Sequence, residues 1–317
     1  MSAAATPHIY TLTGNLLAER TQDFAAWSPG KTQRATAQSF QVGGKGINVS
    51  KMLMRLGTPN TALCFPGGAS GAECIAWLRY HHFTAHAFPA QKATRTGLVV
   101  RAAGQPETTF LGPDSPPDAV AFRTCADYLD ALPDNAVLAL CGSFPGWDTS
   151  DAEPLRAALE RLLSRATVCA DTYGPPLEWI VQRPVALVKI NRDEFDRLFT
   201  DLQLNRPIQS RLVDAIVRWP VQRWIITDGP GEVSFVEQPA HSASPQSLRP
   251  PPVEEISATG SGDVLFACIL HALLVEKLRL ADAVAFALPF ASANAASPGI
   301  ADFAMNQVAQ SRSSFTP

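Results

Sequence analysis

The sequence predicts an α/β fold, a doubly wound sheet sandwiched by helices with a small β layer at its side. Three observations predict it. Short apolar runs of strand type alternate with segments of helical period along most of the chain. The runs are continuously apolar rather than alternating, as strands of a parallel sheet covered on both faces are. Two stretches, Phe24 to Val42 and Thr94 to Leu111, break the alternation: they are polar, extended and rich in Thr and Gln.

Taken in order, the strand-type runs are Ile9-Tyr10-Thr11-Leu12-Thr13, Thr61 to Phe65, Val137 to Leu140, Thr167 to Ala170, Val185 to Val188 and Trp224-Ile225-Ile226. Helical patterns lie between and after them. Ile47 to Leu56 follows a glycine-rich turn and ends at Gly57. In Pro154 to Leu163, Leu155, Leu159 and Leu162 share one face while Arg156, Glu160 and Arg161 face away. Val264 to Val275 is the longest apolar run. It contains His271, stops at Glu276-Lys277 and is shorter than the roughly 18 residues that span a bilayer, so it reads as a buried helix. The Pro-rich stretch Pro239 to Pro252 reads as a surface loop. The expected organisation is one α/β domain over 1–317, with the odd stretches, about 14–42 and 94–111, forming a β-sheet lid.

Composition narrows the function. With 46% hydrophobic and 17% charged residues, the chain can bury a large core. The 26 basic and 29 acidic side chains give a formal charge of −3, which supplies no basic footprint for nucleic acid or an anionic membrane surface. A few local cations can still bind a small anionic substrate. The six cysteines are scattered with no C-x-x-C pair, and Met1 to His8 lacks the features of a signal peptide. Both point to a cytoplasmic protein with reduced thiols.

Several motif-like features fail on inspection. Gly30-Lys31-Thr32 lacks the earlier glycine of a phosphate-binding loop, since Ala25 stands there. Gly44-Lys45-Gly46 lacks the small residue that a dinucleotide turn needs at Val49. His81, His82 and His86 have no carboxylate or thiol at ligand spacing.

Two glycine-rich turns carry chemistry. Gly43-Gly44-Lys45-Gly46-Ile47-Asn48 opens a helix: its glycines allow close approach to the backbone, Lys45 adds a cation, and Asn48 adds an amide suited to sugar hydroxyls. Ser257-Ala258-Thr259-Gly260-Ser261-Gly262-Asp263 runs into the apolar helix. The N–H groups of Gly260, Ser261 and Gly262 converge at the positive end of a helix dipole, where the charge of a transferred phosphoryl group is stabilised. Asp263 stands where it can take a proton from an attacking hydroxyl.

An early GGKGIN turn and a late TGSGD turn together resemble the PfkB/ribokinase family of sugar kinases, from Ile9 to about Gly299. The resemblance is nearest the phosphosugar branch of 1-phosphofructokinase, tagatose-6-phosphate kinase and PfkB-type 6-phosphofructokinase. Thr94-Arg95-Thr96, the turn Cys141-Gly142-Ser143-Phe144-Pro145-Gly146 and Lys189-Ile190-Asn191-Arg192-Asp193-Glu194 match further family motifs in family order.

The resemblance implies a ribokinase-like fold and an ATP-dependent phosphotransferase with an alcohol acceptor. Asp263 would be the catalytic base, beneath the Gly260, Ser261 and Gly262 anion hole. Asn191 and Glu194 would organise Mg²⁺, largely through water, and the ATP phosphates. Thr227, Gly229, Gly231 and Ser257 would line the nucleotide site. Glu19, Gly43, Gly44, Asn48 and Ser143 would hold the sugar, and Lys31, Arg34, Lys45 and Arg95 would clamp a phosphate already on it. The lid strands would also offer a homodimer interface.

Departures from the family pattern leave the substrate open. Glu19 stands where the family has Asp, Gly97 where the branch has an amide, Val99 where 1-phosphofructokinases often have Lys, Ala258 where Thr is usual and Ser261 where Ala is; Asp228-Gly229-Pro230-Gly231 is a short turn. The expected reaction is γ-phosphoryl transfer to a phosphorylated ketohexose of the fructose 1-phosphate, fructose 6-phosphate or tagatose 6-phosphate type. The alternatives are a kinase of an unphosphorylated sugar or nucleoside, or a non-catalytic sugar-binding regulatory protein on the same scaffold.

Overall fold

The apolar runs pair side by side as parallel strands. The computed structural model describes residues 6–199, 204–239, 244–306 and 308. Among these, β1 (Ile9–Thr13) lies between β4 (Asn60–Cys64) and β8 (Val137–Gly142), with Ile9 opposite both Asn60 and Val137. Parallel pairing continues from β8 through β9 (Thr167–Thr172) and β10 (Leu187–Asn191) to β11 (Arg223–Thr227), and from β4 to β5 (Ala85–Ala87). Two antiparallel strands, β12 (Val233–Glu237) and β13 (Gln246–Leu248), extend the far edge. The spatial order is β13-β12-β11-β10-β9-β8-β1-β4-β5. The Pro-rich stretch therefore contains a short strand, where the sequence had suggested only a surface loop.

Side chains alternate between the two faces of this sheet, and each face has its own core. Leu12, Leu138, Leu140, Val188 and Trp224 pack with α3 (Ala119–Asp130), α4 (Glu153–Leu163), α5 (Pro175–Ile180) and, beyond the short α6 (Arg192–Asp196), α7 (Ile208–Arg218). Ile9, Val137, Ala139, Cys169 and Ile225 pack with α1 (Lys45–Arg55), α8 (Ser261–Leu274) and α9 (Leu280–Ala295). Residues Val264 to Leu270 of α8 are all essentially buried, which accounts for the apolar run. The last helix, α9, was not foreseen; Pro289 lies inside it. The six cysteines are all buried. Among the described residues, no helix is long and apolar enough to cross a membrane.

The two polar stretches form a separate four-stranded sheet, ordered β3-β2-β6-β7, from β2 (Leu17–Phe24), β3 (Ala37–Gly43), β6 (Arg95–Ala102) and β7 (Gln105–Leu111). Arg20 and Phe40 attach it to α2 (Gly68–Tyr80), through the Arg20–Glu73 ion pair at 2.6 Å and the bond from Trp77 Nε1 to the Phe40 carbonyl at 3.1 Å. Its far end reaches the main domain near the second glycine turn. Arg101 donates to the Pro298 carbonyl at 2.5 Å, and Glu107 lies 3.4 Å from the hydroxyls of Ser257 and Thr259.

The order of the large sheet reverses between β1 and β8, one leading to β4 and the other to β9. In open α/β sheets a ligand crevice forms at such a switch point, at the carboxyl ends of the strands. Gly14-Asn15 and Ser143 follow those two strand ends directly.

Candidate active site

The first glycine turn is built by close packing. Gly44 caps α1 with φ 117°, a conformation that disfavours a side chain, and leaves the first N–H groups of the helix without a side-chain cap. At Gly46 a Cβ would stand 2.4 Å from Thr13 Oγ1, so only glycine lets α1 lie this close to β1. Asn48, one turn on, is buried and donates from Nδ2 to Asp263 Oδ2 at 2.7 Å.

The second glycine turn faces the first. Gly260 caps α8 in the left-handed region, φ 77°, with the Ile300 side chain packed against its Cα side. The N–H of Ser261 bonds to the Ala258 carbonyl at 3.2 Å, while the N–H groups of Gly260 and Gly262 have no backbone acceptor among the described residues. Asn294 holds the turn from below, donating to the Thr259 carbonyl and Ser261 Oγ at 3.0 Å each, while its Oδ1 accepts from Ala301 N at 2.7 Å. Asp263 is buried in the first turn of α8. Burial, then the charge of Asp171, push its carboxyl up to about 6, against the pull of Lys45, the Asn48 hydrogen bond and Lys189.

Beside Asp263 lies a charge cluster. Asp171, at the end of β9 and fully buried, takes Lys45 Nζ on one oxygen at 2.7 Å and Lys189 Nζ on the other at 2.8 Å. Burial opposes the ionisation of Asp171, but the two lysines outweigh it and hold the carboxyl below its usual range. Burial likewise works against the charge of Lys45, and Asp171, Glu194 and Asp263 overcome it, so Lys45 stays protonated. Asn191 and Glu194 form a reciprocal capping box at the start of α6: Asn191 N donates to Glu194 Oε2 at 2.9 Å and Glu194 N to Asn191 Oδ1 at 2.8 Å. The second oxygen of Glu194 lies 3.5 Å from Lys45 Nζ.

Lys45, Lys189, Asn191, Glu194 and Asp263 line a cavity of about 940 Å³ that also takes in Gly260, Ser261, Gly262, Thr227, Gly229 and the Pro250-Pro251-Pro252 run. Two of the residues assigned to it by sequence do not line it. Gly231 closes the preceding turn by donating to the Asp228 carbonyl at 2.7 Å, and Ser257 N bonds to the Ala295 carbonyl at 3.0 Å with its hydroxyl towards Glu107. Among the described residues no cluster of three or more His, Cys, Asp or Glu side chains forms a ready-made metal cage.

The residues assigned to the sugar divide into groups. Gly43, Leu17 and Arg95 stand in one cross-strand row of the small sheet, so Gly43 and Arg95 are two strand spacings apart, about 10 Å. Glu19 is in the next inward-facing row, buried between Gln41 and Gly97. Its carboxylate accepts from Gln41 Nε2. Burial raises its pKa, the Gln41 bond opposes this, and of the nearest charges Glu107 raises it and Arg101 lowers it. Lys31 and Arg34 sit on the connection between β2 and β3, Lys31 exposed and Arg34 largely so, and do not reach the cavity. Lys45 belongs to the Asp171 cluster rather than to the Arg95 row.

Four functional candidates were missed by sequence reasoning: Asn15, Asp114, Asp171 and Asn294. Asn15 Nδ2 donates to Asp114 Oδ1 at 2.8 Å and to Ser143 Oγ at 3.1 Å, and Arg95 Nη1 donates to the same Asp114 oxygen at 3.0 Å. None of the four belongs to a motif; Asn15 and Asp114 had only the signal of position, shortly past the ends of β1 and β7, while Asp171 within β9 and Asn294 within α9 had none.

Comparison with known proteins identifies the family and the fold. The profile described as pfkB family carbohydrate kinase matches residues 14–306. The ATP-dependent 6-phosphofructokinase isozyme 2 of Escherichia coli (strain K12) is 27% identical over 265 residues, 82% of this chain and 83% of the relative. The 1-phosphofructokinase of Xanthomonas campestris pv. campestris is 27% identical over 286 residues, 88% of each chain. In fold, the crystal structure of the phosphofructokinase-2 from Escherichia coli in complex with fructose-6-phosphate superimposes with a TM-score of 0.84 at 23% identity, covering 98% of this chain and 99% of that one.

Proposed function

The chain belongs to the pfkB family of carbohydrate kinases, and we propose that it transfers the γ-phosphoryl group of ATP to a hydroxyl of a phosphorylated ketohexose. The observation that carries this reading is the buried Asn48–Asp263 pair beside the N–H groups of Gly260 and Gly262, at the mouth of a cavity large enough for a nucleotide. The curated relatives named 1-phosphofructokinase and 6-phosphofructokinase support the substrate class.

Each residue contributes a defined part. Asp263, whose carboxyl is poised near 6, accepts the proton of the attacking hydroxyl, and Asn48 fixes the orientation of that carboxylate. The N–H groups of Gly260 and Gly262 receive the charge that develops on the phosphoryl group. Lys45 and Lys189, held by Asp171, place positive charge along the phosphate path. Thr227 and Gly229 line the nucleotide end. Asn191 and Glu194 present hard oxygen donors there, which suits Mg²⁺ bound through its waters. When bound, that ion neutralises the charge of the triphosphate. Arg95 faces the phosphate of the sugar, while Gly43, Gly44, Asn15 and Ser143 surround its hydroxyls. The small sheet acts as a lid that excludes water from the cleft. Its unpaired edges β3 and β7, the latter carrying exposed Phe110 and Leu111, offer a homodimer contact.

One observation favours the second reading, an unphosphorylated sugar or nucleoside: Arg95 already has an acidic partner, Asp114. A coupled ADP-release assay over fructose 1-phosphate, fructose 6-phosphate, tagatose 6-phosphate, ribose and adenosine decides between them. Turnover confined to the last two overturns the phosphosugar reading, and sugar and ATP binding with no ADP release across the panel overturns catalysis itself.

A further inference from the structure

We propose that Asp114 is a specificity-determining residue: it shares the Arg95 guanidinium with the substrate and so sets how strongly the site prefers a phosphorylated sugar to an unphosphorylated one. This rests on Arg95 being the phosphate-facing cation of the proposed reaction.

The pair is asymmetric in a way that a plain surface salt bridge is not. The Arg95 side chain is only 13% exposed, whereas that of Asp114 is 58% exposed. Among the described residues Arg95 Nε is buried without a hydrogen-bond partner, so the guanidinium keeps unused donor capacity. Arg95 Nη1 and Asn15 Nδ2 both donate to Asp114 Oδ1, and no side-chain donor among the described residues reaches Oδ2. Asn15, 5% exposed and bonded also to Ser143, fixes the carboxylate at the carboxyl ends of β1 and β8, where the ligand crevice lies.

Two ligand classes meet this arrangement differently. A sugar hydroxyl can donate to the open Oδ2 and gains from the carboxylate. A phosphate that approaches Arg95 meets a like charge on the same guanidinium and must share it or displace it. Two charges about 5 Å apart at an effective dielectric of about 20–80 change affinity by roughly four- to three-hundredfold. Asp114 therefore weakens phosphate binding and strengthens hydroxyl binding through the same atom pair.

The test uses inorganic phosphate as the probe, titrated calorimetrically into the protein saturated with a non-hydrolysable ATP analogue so that the nucleotide phosphate sites are filled. Asp114→Asn keeps the shape and the acceptor for Asn15 and removes the charge. It is expected to tighten phosphate binding at least threefold, to lower KM for phosphorylated ketohexoses by a similar factor, to raise KM for unphosphorylated sugars and to leave KM for ATP unchanged. In an Arg95→Ala background the same substitution is expected to have a distinctly smaller effect on phosphate, since only the direct repulsion remains. Unchanged or weaker phosphate binding in Asp114→Asn overturns the proposal, and so does an equal gain without Arg95. If the wild-type protein turns over no phosphosugar, the proposed substrate class fails, while the phosphate titration still decides the role of Asp114.

Discussion

Asn48 Nδ2 and Asp263 Oδ2 meet at 2.7 Å although 215 positions separate them in the chain. The contact joins the starts of two helices whose glycine turns each present N–H groups to one cleft. It also defines what Asp263 costs the fold. A carboxyl raised from 3.8 to about 6 is destabilising when ionised, so replacing it should help the protein stand while stopping it working. Asp263→Asn is expected to lower kcat by at least roughly 10² with little change in KM for ATP. At pH 8 the ligand-free variant is expected to be more stable by roughly 2–3 kcal/mol, the equivalent of about two pKa units. Steady-state kinetics and denaturant unfolding read the two effects separately. Near-normal turnover would remove Asp263 from the role of base.

The same raised pKa fixes a pH dependence. Because Asp263 must be ionised to accept a proton, kcat/KM for the sugar is expected to rise with pH through about 6 and then level off. Stability runs the other way: the contribution of this group is fully present below 3.8, the unfolded value, and is lost as pH rises through about 6. A pH–rate profile and thermal unfolding between pH 4 and 8 should therefore show opposite slopes for the Asp263 component, and the Asp263→Asn variant should lose both.

The legible part of the site was the part written locally. Gly260 and Asp263 are three residues apart, and Gly44 and Asn48 four, so helix geometry alone carries their meaning. The parallel sheet was legible for the same reason, because Val137 to Leu140 or Trp224 to Ile226 is apolar on both faces. Asp171 was not. It sits in an unmarked strand, and its significance arises only when β9 brings it to Lys45, 126 positions away, and Lys189, 18 positions away. Lys45 was placed with the sugar phosphate for the same want of tertiary information, whereas the fold gives it to Asp171. The small sheet was legible as two odd stretches, but β2 begins at Leu17, before the polar composition does, because its first residues pack against the main domain.

Asp171 also gives a stability prediction of opposite sign to that of Asp263. Its carboxyl is held below its usual pKa by two lysines, so its contribution is present above the unfolded value of 3.8 and is lost as pH falls through the lower, folded value. Asp171→Ala takes from Lys189 its bonded counter-ion and leaves Lys45 with Glu194, 3.5 Å away. It is expected to cost roughly 3–5 kcal/mol at pH 7, measured by urea unfolding. Adding Lys189→Met should recover part of that loss, since one uncompensated buried charge is then gone. No recovery would mean that the lysines reach other anions or water once Asp171 is removed.

Arg95 separates the two substrate readings by kinetics. If it binds the phosphate of the sugar, Arg95→Ala is expected to raise KM for a ketohexose phosphate by at least roughly tenfold, the loss of a charged hydrogen bond of about 1.5–3 kcal/mol, with KM for ATP unchanged. For an unphosphorylated sugar the same variant should change KM little. A uniform rise for both kinds of substrate would instead assign Arg95 to holding the start of β6 in place through Asp114.

Asn294 tests whether the anion hole depends on support from outside its own turn. Its side chain, 1% exposed, makes three hydrogen bonds, to the Thr259 carbonyl, Ser261 Oγ and Ala301 N, and so ties α9 to the residues on either side of Gly260. Asn294→Ala leaves the buried N–H of Ala301 unpaired, at roughly 1–3 kcal/mol before relaxation, and frees the Thr259 carbonyl and the Ser261 hydroxyl, which water can reach in part. The net loss in stability is expected to be at least about 2 kcal/mol by urea unfolding. The kinetic signature is more telling than the stability. Donors preorganised around a phosphoryl group act chiefly in the transition state, so a loosened turn should lower kcat by roughly 10- to 100-fold and leave KM for ATP nearly unchanged. If Asn294 serves packing alone, the variant will unfold more easily yet turn over at the wild-type rate below its melting range. A rise in KM for ATP at constant kcat would show that the turn binds the ground-state phosphates as strongly as the transferring group.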